Sequence, residues 1–265
     1  MQLNELEVVK FLTELFNRGA GYSAINTARS ALSSILCNDQ GLSIGKFLSV
    51  KRFLKGVFEL RPPLPRYTFI WDANVVLEFL KNFYPNTDLP LDVLSYKLVM
   101  LIALISAQRA QTLHKLRIDN IVFGNDLVVI PIDDLLKNTT PKNRRFCIYL
   151  KPYPECPNLC VIDVLKTYVD CTRNLRKQET QLFISFKKPY TAVSRDTISR
   201  WLRRVLEEAG IDVEIFKAHS TRAASCAKAK HDNIPVDDII KTAGWSNNRT
   251  YKQFYDKIVM GEQDC

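Results

Sequence analysis

Apolar residues return every three to four positions through the first sixty residues, which is the spacing of one helix face. Leu6, Val9, Phe11, Leu12, Leu15 and Phe16 form one such stripe; Ile25, Ala28, Leu32, Ile35 and Leu36 form a second, with Ser23 as its expected N-cap. Val50, Phe53, Leu54, Val57 and Phe58 predict a third helix over Phe47–Leu60, and its opposite face carries Lys51, Arg52 and Lys55. The run Arg61-Pro62-Pro63-Leu64-Pro65-Arg66 follows. Its prolines lack amide donors and favour extended backbone, so the helix must stop and a semi-rigid linker begin. The expected organisation is a short helical lobe over residues 1–61, a linker over 62–68 and a larger domain over 69–265.

Beyond the linker, Asp72 is placed to cap a helix running to about Phe83, and Asp92–Ser106 is apolar almost all round, the mark of a central buried helix. The period changes over Ile118–Ile132. There IVFGNDLVVI puts β-branched residues on both sides of Gly124-Asn125, a hairpin signal, and RFCIYL at Arg145–Leu150 offers a third strand. Helical spacing resumes over Val161–Leu175 and over Arg195–Ala209, the latter opened by Ser194 and closed by Gly210. A further helix is expected from Ala223 to about His231, then another with Pro235 in its first turn and Gly244 at its end. The fold class predicted is mainly α with one small antiparallel β-sheet.

Composition narrows this picture. With 46% hydrophobic and 25% charged residues among 265, and only 9 glycines, the chain is globular. Its longest apolar stretch, Leu98–Ala107, is far short of the roughly 20 residues of a spanning helix, so no membrane partner is expected. The start, MQLNELEVVKFL, carries two glutamates and no small-residue cleavage site, which argues against a secretory signal. Seven cysteines at irregular spacing read as reduced thiols in an intracellular protein. A net charge of +9 attracts polyanions, nucleic acid foremost.

There is no Walker loop, no GxGxxG after a strand and no HExxH. The carboxylate pairs Asp133-Asp134 and Asp237-Asp238 suit helix starts or exposed turns, and several convergent carboxylates cannot be assembled from these spacings. Neither a metal nor a cofactor is expected. The informative segment is Ala218-His219-Ser220-Thr221-Arg222, whose three-residue spacing brings His219 and Arg222 to one side of a helix start and describes a phosphate site. The alternative for these two residues is that His219 caps or packs while Arg222 pairs with a surface carboxylate.

In its context this segment resembles the tyrosine recombinase (phage integrase) family. That family has an early arginine, a hairpin lysine, a His-x-x-Arg, a His or Trp, and a tyrosine nucleophile. In that order the chain offers Arg109 in SAQRAQTL, Lys137 in LLKNT, His219 and Arg222, Trp245 in GWS, and Tyr255 ten residues beyond Trp245 in TYKQFY. The resemblance covers essentially the whole chain, most firmly Lys97–Lys257, and the wording around Arg109, Lys137 and Trp245 is similar to the recombinases of DIRS-type retrotransposons.

The resemblance implies a tyrosine recombinase catalytic domain behind a short core-binding-like helical lobe, acting on double-stranded DNA as a tetramer, in the nucleus. It implies that Arg109 and Arg222 clamp the phosphate and that Lys137 and His219 move protons. Trp245, which has only an N–H donor, would position, and Tyr255 would form a 3′-phosphotyrosine. Lys142, with Arg144 and Arg145, competes with Lys137 for the hairpin position. Tyr251 competes with Tyr255; the spacing from Trp245 favours Tyr255 and leaves Tyr251 and Phe254 as packing residues. Arg109 could instead end its helix, Trp245 could be core, and the basic faces at Lys51, Arg52, Lys55 and at Arg200, Arg203, Arg204 either contact DNA or are solvated. Three departures stand out: Thr112 where many members have an acid, an N-terminal lobe of only about sixty residues, and only ten residues after Tyr255. They keep open a DNA-binding remnant without productive exchange, and the shared tyrosine chemistry keeps open a relaxing activity of the type IB topoisomerase kind.

Overall fold

The computed structural model describes residues 5–37, 41, 43–134, 146–245 and 248–260. Backbone contacts divide the chain into two compact units, Met1–Arg66 and Tyr67–Cys265. The first holds α1 (Glu5–Asn17), α2 (Tyr22–Ile35) and α3 (Leu48–Leu60) around Val8, Leu12, Ile25, Ile44, Phe47, Val50 and Val57. The N-cap of α2 is Gly21 rather than the expected Ser23. Tyr22 already belongs to the helix, where its ring meets Phe58 edge-on at 5.2 Å, so Ser23 falls inside the first turn. Phe47 caps α3 instead of opening it. Arg61 closes the unit: its Nη1 donates to Phe16 O (2.6 Å) and Ala20 O (3.0 Å), and its guanidinium lies 3.8 Å over the Phe16 ring. The carbonyls at and beyond the end of α1 thus find a cationic donor.

The second unit runs β1 (Phe69–Ile70), α4 (Ala73–Lys81), α5 (Leu91–Ser106), α6 (Ala110–His114), β2 (Val122–Phe123), β3 (Val128–Ile132) and β4 (Phe146–Leu150). It continues with α7 (Val161–Thr172), α8 (Arg195–Glu208), α9 (Thr221–His231), α10 (Val236–Ala243), α11 (Asn248–Phe254) and β5 (Ile258–Val259). Helix α5 is the centre, packed against α7, α8 and α9, and every side chain from Leu94 to Ala103 is buried. Even Lys97 is inside. Its Nζ donates to Phe83 O (2.5 Å) and Asn86 Oδ1 (2.8 Å), and burial pushes its pKa down to about 8.

The antiparallel sheet has the order β2-β3-β4, with Val122 opposite Val129 and Ile130 opposite Ile148. Pro131 stands opposite Cys147 of β4, but its carbonyl accepts from Asn120 Nδ2 (3.3 Å) on the other side, so the missing amide faces the β2 edge, where pairing reaches only to Val129. Fold class is therefore mainly α with a small antiparallel sheet. A second, parallel pair was not legible: β1 joins β5, Phe69 opposite Ile258, and strands of two residues carry no alternation to read.

Several element ends differ from expectation. Helix α4 stops at Lys81 rather than near Phe83, α7 at Thr172 rather than Leu175, and α9 starts at Thr221 rather than Ala223, after a 3-10 turn at Ala218–Ser220. Pro235 is the N-cap of α10, not a first-turn residue; its ψ of 136° is still extended. Among the described residues no helix is long and apolar enough to cross a membrane.

Candidate active site

Four helix ends meet within the second unit. Helix α5 ends at Ala107, whose φ of +50° turns the chain left-handed, and two residues later Arg109 caps the short α6 in extended conformation. Arg109 therefore starts a helix rather than ending one. His219 lies in the 3-10 turn before α9, where Ser220 Oγ accepts from the buried Trp71 indole at 2.8 Å. Arg222 occupies the first turn of α9, and the small residues Ala223, Ala224, Ser225 and Ala227 let that helix sink against α5. Gly244 ends α10 at φ +71°, and a Cβ there would meet Phe146 at 3.2 Å. Both the backbone and the neighbour demand glycine before Trp245.

These ends bring together Arg109, His219, Arg222, Trp245 and Tyr255. His219 Nε2 and the Tyr255 hydroxyl are 3.1 Å apart. Arg222, 1% exposed, lies beneath two aromatic rings, with its Cζ 4.2 Å from the Trp245 centroid and 5.4 Å from that of Tyr255. The Trp245 and Tyr255 rings are themselves 4.5 Å apart. Arg222 Nη1 donates to Ala107 O (2.5 Å) and Nη2 to Ala243 O (2.8 Å). No carboxylate among the described residues pairs with it, so the surface-pairing alternative does not hold. Burial, and then the charge on Arg109, push its pKa down to about 10. A buried cation with no counter-ion, beside a second guanidinium, is poised for an anion. Among the described residues, Arg222 Nε and Trp245 Nε1 are both buried without a hydrogen-bond partner.

Arg109 and His219 also line a cleft of about 210 Å³ together with Gln108, Gln111, Arg195 and Ser199. Gln108 and Arg195 escaped the sequence reading. Arg195 follows the N-cap Ser194 and was legible as a first-turn cation; Gln108 had no signal beyond standing next to Arg109. Thr112, which stands where many members of the resembled family have an acid, is buried, and its amide donates to Arg109 O at 2.8 Å. Lys137, Lys142, Arg144 and Arg145 lie outside the described residues.

Tyr251 is 2% exposed, its hydroxyl has no partner among the described residues, and burial pushes its pKa up to about 12. It packs against Trp245 at 5.8 Å between ring centroids. Phe254, expected to pack as well, is 41% exposed: α11 turns Tyr251 and not Phe254 toward the core. On α8, Arg203 pairs with Glu214 (2.8 Å) and Arg204 with Glu208 (2.7 Å), while Arg200 donates to Thr197 Oγ1 (2.9 Å). Two of those three arginines are therefore already engaged by carboxylates. Lys51, Arg52 and Lys55 are exposed on α3.

Residues 74–260 match the model of the phage integrase family. No curated protein matches the chain. Among solved structures, the Tn1549 transposon integrase in complex with transposon right end DNA is 15% identical with a TM-score of 0.63, covering 97% of this chain and 82% of that one. The XerH site-specific recombinase bound to its palindromic difH substrate is 14% identical with a TM-score of 0.61, covering 94% and 68%. A lambda integrase dimer bound to a COC′ core site is 14% identical with a TM-score of 0.54, covering 96% and 65%. The chain thus spans about two thirds of the length of the XerH and lambda integrase chains, and at these identities the likeness is one of fold.

Proposed function

The chain belongs to the phage integrase family, and on that premise we propose that it breaks and rejoins DNA strands through a 3′-phosphotyrosine formed on Tyr255. The observation that carries this is the 3.1 Å contact between His219 Nε2 and the Tyr255 hydroxyl, above the buried and unneutralised Arg222. A tyrosine hydroxyl must lose its proton to attack phosphorus, and an imidazole at this distance takes it. Arg109 and Arg222 hold the non-bridging oxygens. Of the five N–H donors of a guanidinium, Arg222 gives two to carbonyls and one to the Tyr255 hydroxyl, which leaves two. Trp245 Nε1 adds a neutral donor, and Lys137, or Lys142 in its place, protonates the departing 5′-oxygen. The new O–P bond to tyrosine replaces the O–P bond to the 5′-oxygen, so a 5′-hydroxyl from a second strand reverses the step without an external energy source.

Duplex DNA is the proposed substrate and an assembly of copies, a tetramer on DNA, the proposed working unit. Support comes from structural neighbours that are DNA complexes, one of them a lambda integrase tetramer on a Holliday junction. We place the origin in a mobile element of the DIRS type and the protein in the nucleus, on the wording around Arg109, Lys137 and Trp245. The test uses supercoiled plasmids carrying paired duplexes selected from a random pool for binding. Recombinant junctions are the expected product. Relaxed topoisomers alone would assign a relaxing enzyme, and tight salt-dependent binding without any strand breakage would assign a binding remnant.

A further inference from the structure

The last carbonyls of a helix have no partner within it, and here two helices expose theirs to each other beside the site. The end of α5 presents Ser106 O and Ala107 O; the end of α10 presents Thr242 O and Ala243 O. Two donors cross between them. Gln108 Nε2 reaches Ser106 O (3.1 Å) and Thr242 O (2.9 Å), while Arg222 reaches Ala107 O (2.5 Å) and Ala243 O (2.8 Å). The two bridges are successive rungs, one residue apart on each segment. Gln108 is 7% exposed, so its amide works away from water. The turn it stabilises is not one the backbone adopts by default, since Ala107 stands at φ +50° without being glycine. The next residue after Gln108 is Arg109.

We propose that Gln108 is a positioning residue for Arg109: its amide pins the end of α5 to the end of α10 and so sets where the Arg109 guanidinium stands. This rests on the reading of Arg109 as a phosphate clamp. A single NH2 group with two hydrogens suits two carbonyl acceptors; a carboxylate would set lone pairs against both, and a lysine would add a third cation beside Arg109 and Arg222. The two rungs also divide the labour. Arg222 must keep donors for the substrate, and Gln108 has no such duty, so it carries the structural tie.

The test is Gln108→Met in the full chain, close in length and without donors. With nicked duplexes selected from a random pool, single-turnover cleavage at saturating DNA is expected to fall roughly 10–100-fold, the scale for a misplaced clamp. Duplex affinity should hardly change, while the two buried carbonyls left without a donor should lower the melting temperature by a few degrees. In an Arg109→Ala background the same change should cost less than about threefold, because no guanidinium is left to misplace. A wild-type rate for Gln108→Met, or an equal loss with and without Arg109, overturns the proposal. If Gln108→Met fails to fold, Gln108→Asn replaces it, since the shorter amide cannot span both carbonyls; an unchanged rate there overturns the proposal equally. Orthovanadate binding, read from the rise in melting temperature, separates this from the functional reading. A wild-type chain that binds vanadate yet cleaves no duplex refutes strand breakage, while weaker vanadate binding by Gln108→Met still upholds the positioning role and unchanged binding removes it.

Discussion

Replacing Trp245 with phenylalanine separates the two things its indole does. The ring covers Arg222 at 4.2 Å and Tyr255 at 4.5 Å, while its N–H is buried and donates to nothing among the described residues. A phenyl ring keeps most of the cover. It loses contacts and some cation–π attraction worth roughly 1–2 kcal/mol in all, but it also removes an orphaned donor whose burial costs about 1–3 kcal/mol. The terms nearly cancel, so Trp245→Phe should lie within about 1 kcal/mol of wild type in urea unfolding, under about 4 °C in melting temperature for a unit of this size. Trp245→Ala, which uncovers both neighbours, should cost about 3–5 kcal/mol. Cleavage should order differently. If the N–H meets a phosphoryl oxygen, Trp245→Phe loses roughly 100–1000-fold in single-turnover rate, the scale for removing one donor from developing charge, at nearly unchanged duplex affinity. Wild-type cleavage by Trp245→Phe would refute the donor role, and a stability loss above about 2 kcal/mol would refute the premise that the N–H is free.

Three further predictions concern the scaffold. Lys97 holds its proton to pH 10.5 in the open chain and only to about 8 in the fold, so its burial opposes folding below pH 8 and that opposition is relieved as pH rises from 8 to 10.5. The slope is about 1.4 kcal/mol per pH unit and accumulates to about 3 kcal/mol. Cys226 and Tyr251, each pushed up to about 12, titrate in the opposite sense, so the quantity to measure is wild type minus Lys97→Met by urea unfolding; a pH-independent difference would contradict the assignment. Gly244→Ala should cost about 1–2 kcal/mol from its positive φ alone, with a further penalty from Phe146, and should slow cleavage by shifting Trp245. Gly56→Ala, in α3 with open space at the Cβ position, should instead stabilise by about 0.5–1 kcal/mol in thermal melts.

What the sequence made legible was what repeats or what chemistry requires at short range. The all-round apolar run of α5, the Ser194 cap that accepts from Thr197 N at 3.1 Å, and the Gly210 and Gly244 turns at positive φ each leave a local mark. His219 and Arg222 were visible because three residues separate them. Long-range consequences left no such mark. Nothing near Arg222 in the chain announces that its guanidinium lies under Trp245 and Tyr255, or that it spends two donors on the ends of α5 and α10. Gln108 bridges to Thr242, 134 residues away, and the β1–β5 pair joins the first strand of the unit to the last. On α8, a row of arginines read as a basic face becomes partly neutral once Glu214 arrives from another element. The fold was readable because helices advertise themselves by period; Arg109, His219, Arg222, Trp245 and Tyr255 could be named by residue type, Lys137 lies outside the described residues, and the geometry that brings the five together was not readable.

The most direct test of the account asks which tyrosine carries the DNA. Wild type, Tyr255→Phe and Tyr251→Phe are incubated with nicked suicide duplexes selected from a random pool, and denaturation-resistant protein–DNA adducts are sought and their linkage mapped. The account predicts a 3′-linked adduct in wild type and, at a similar rate, in Tyr251→Phe, whose ring still packs on Trp245, and none in Tyr255→Phe. An adduct that survives Tyr255→Phe and disappears in Tyr251→Phe would contradict it.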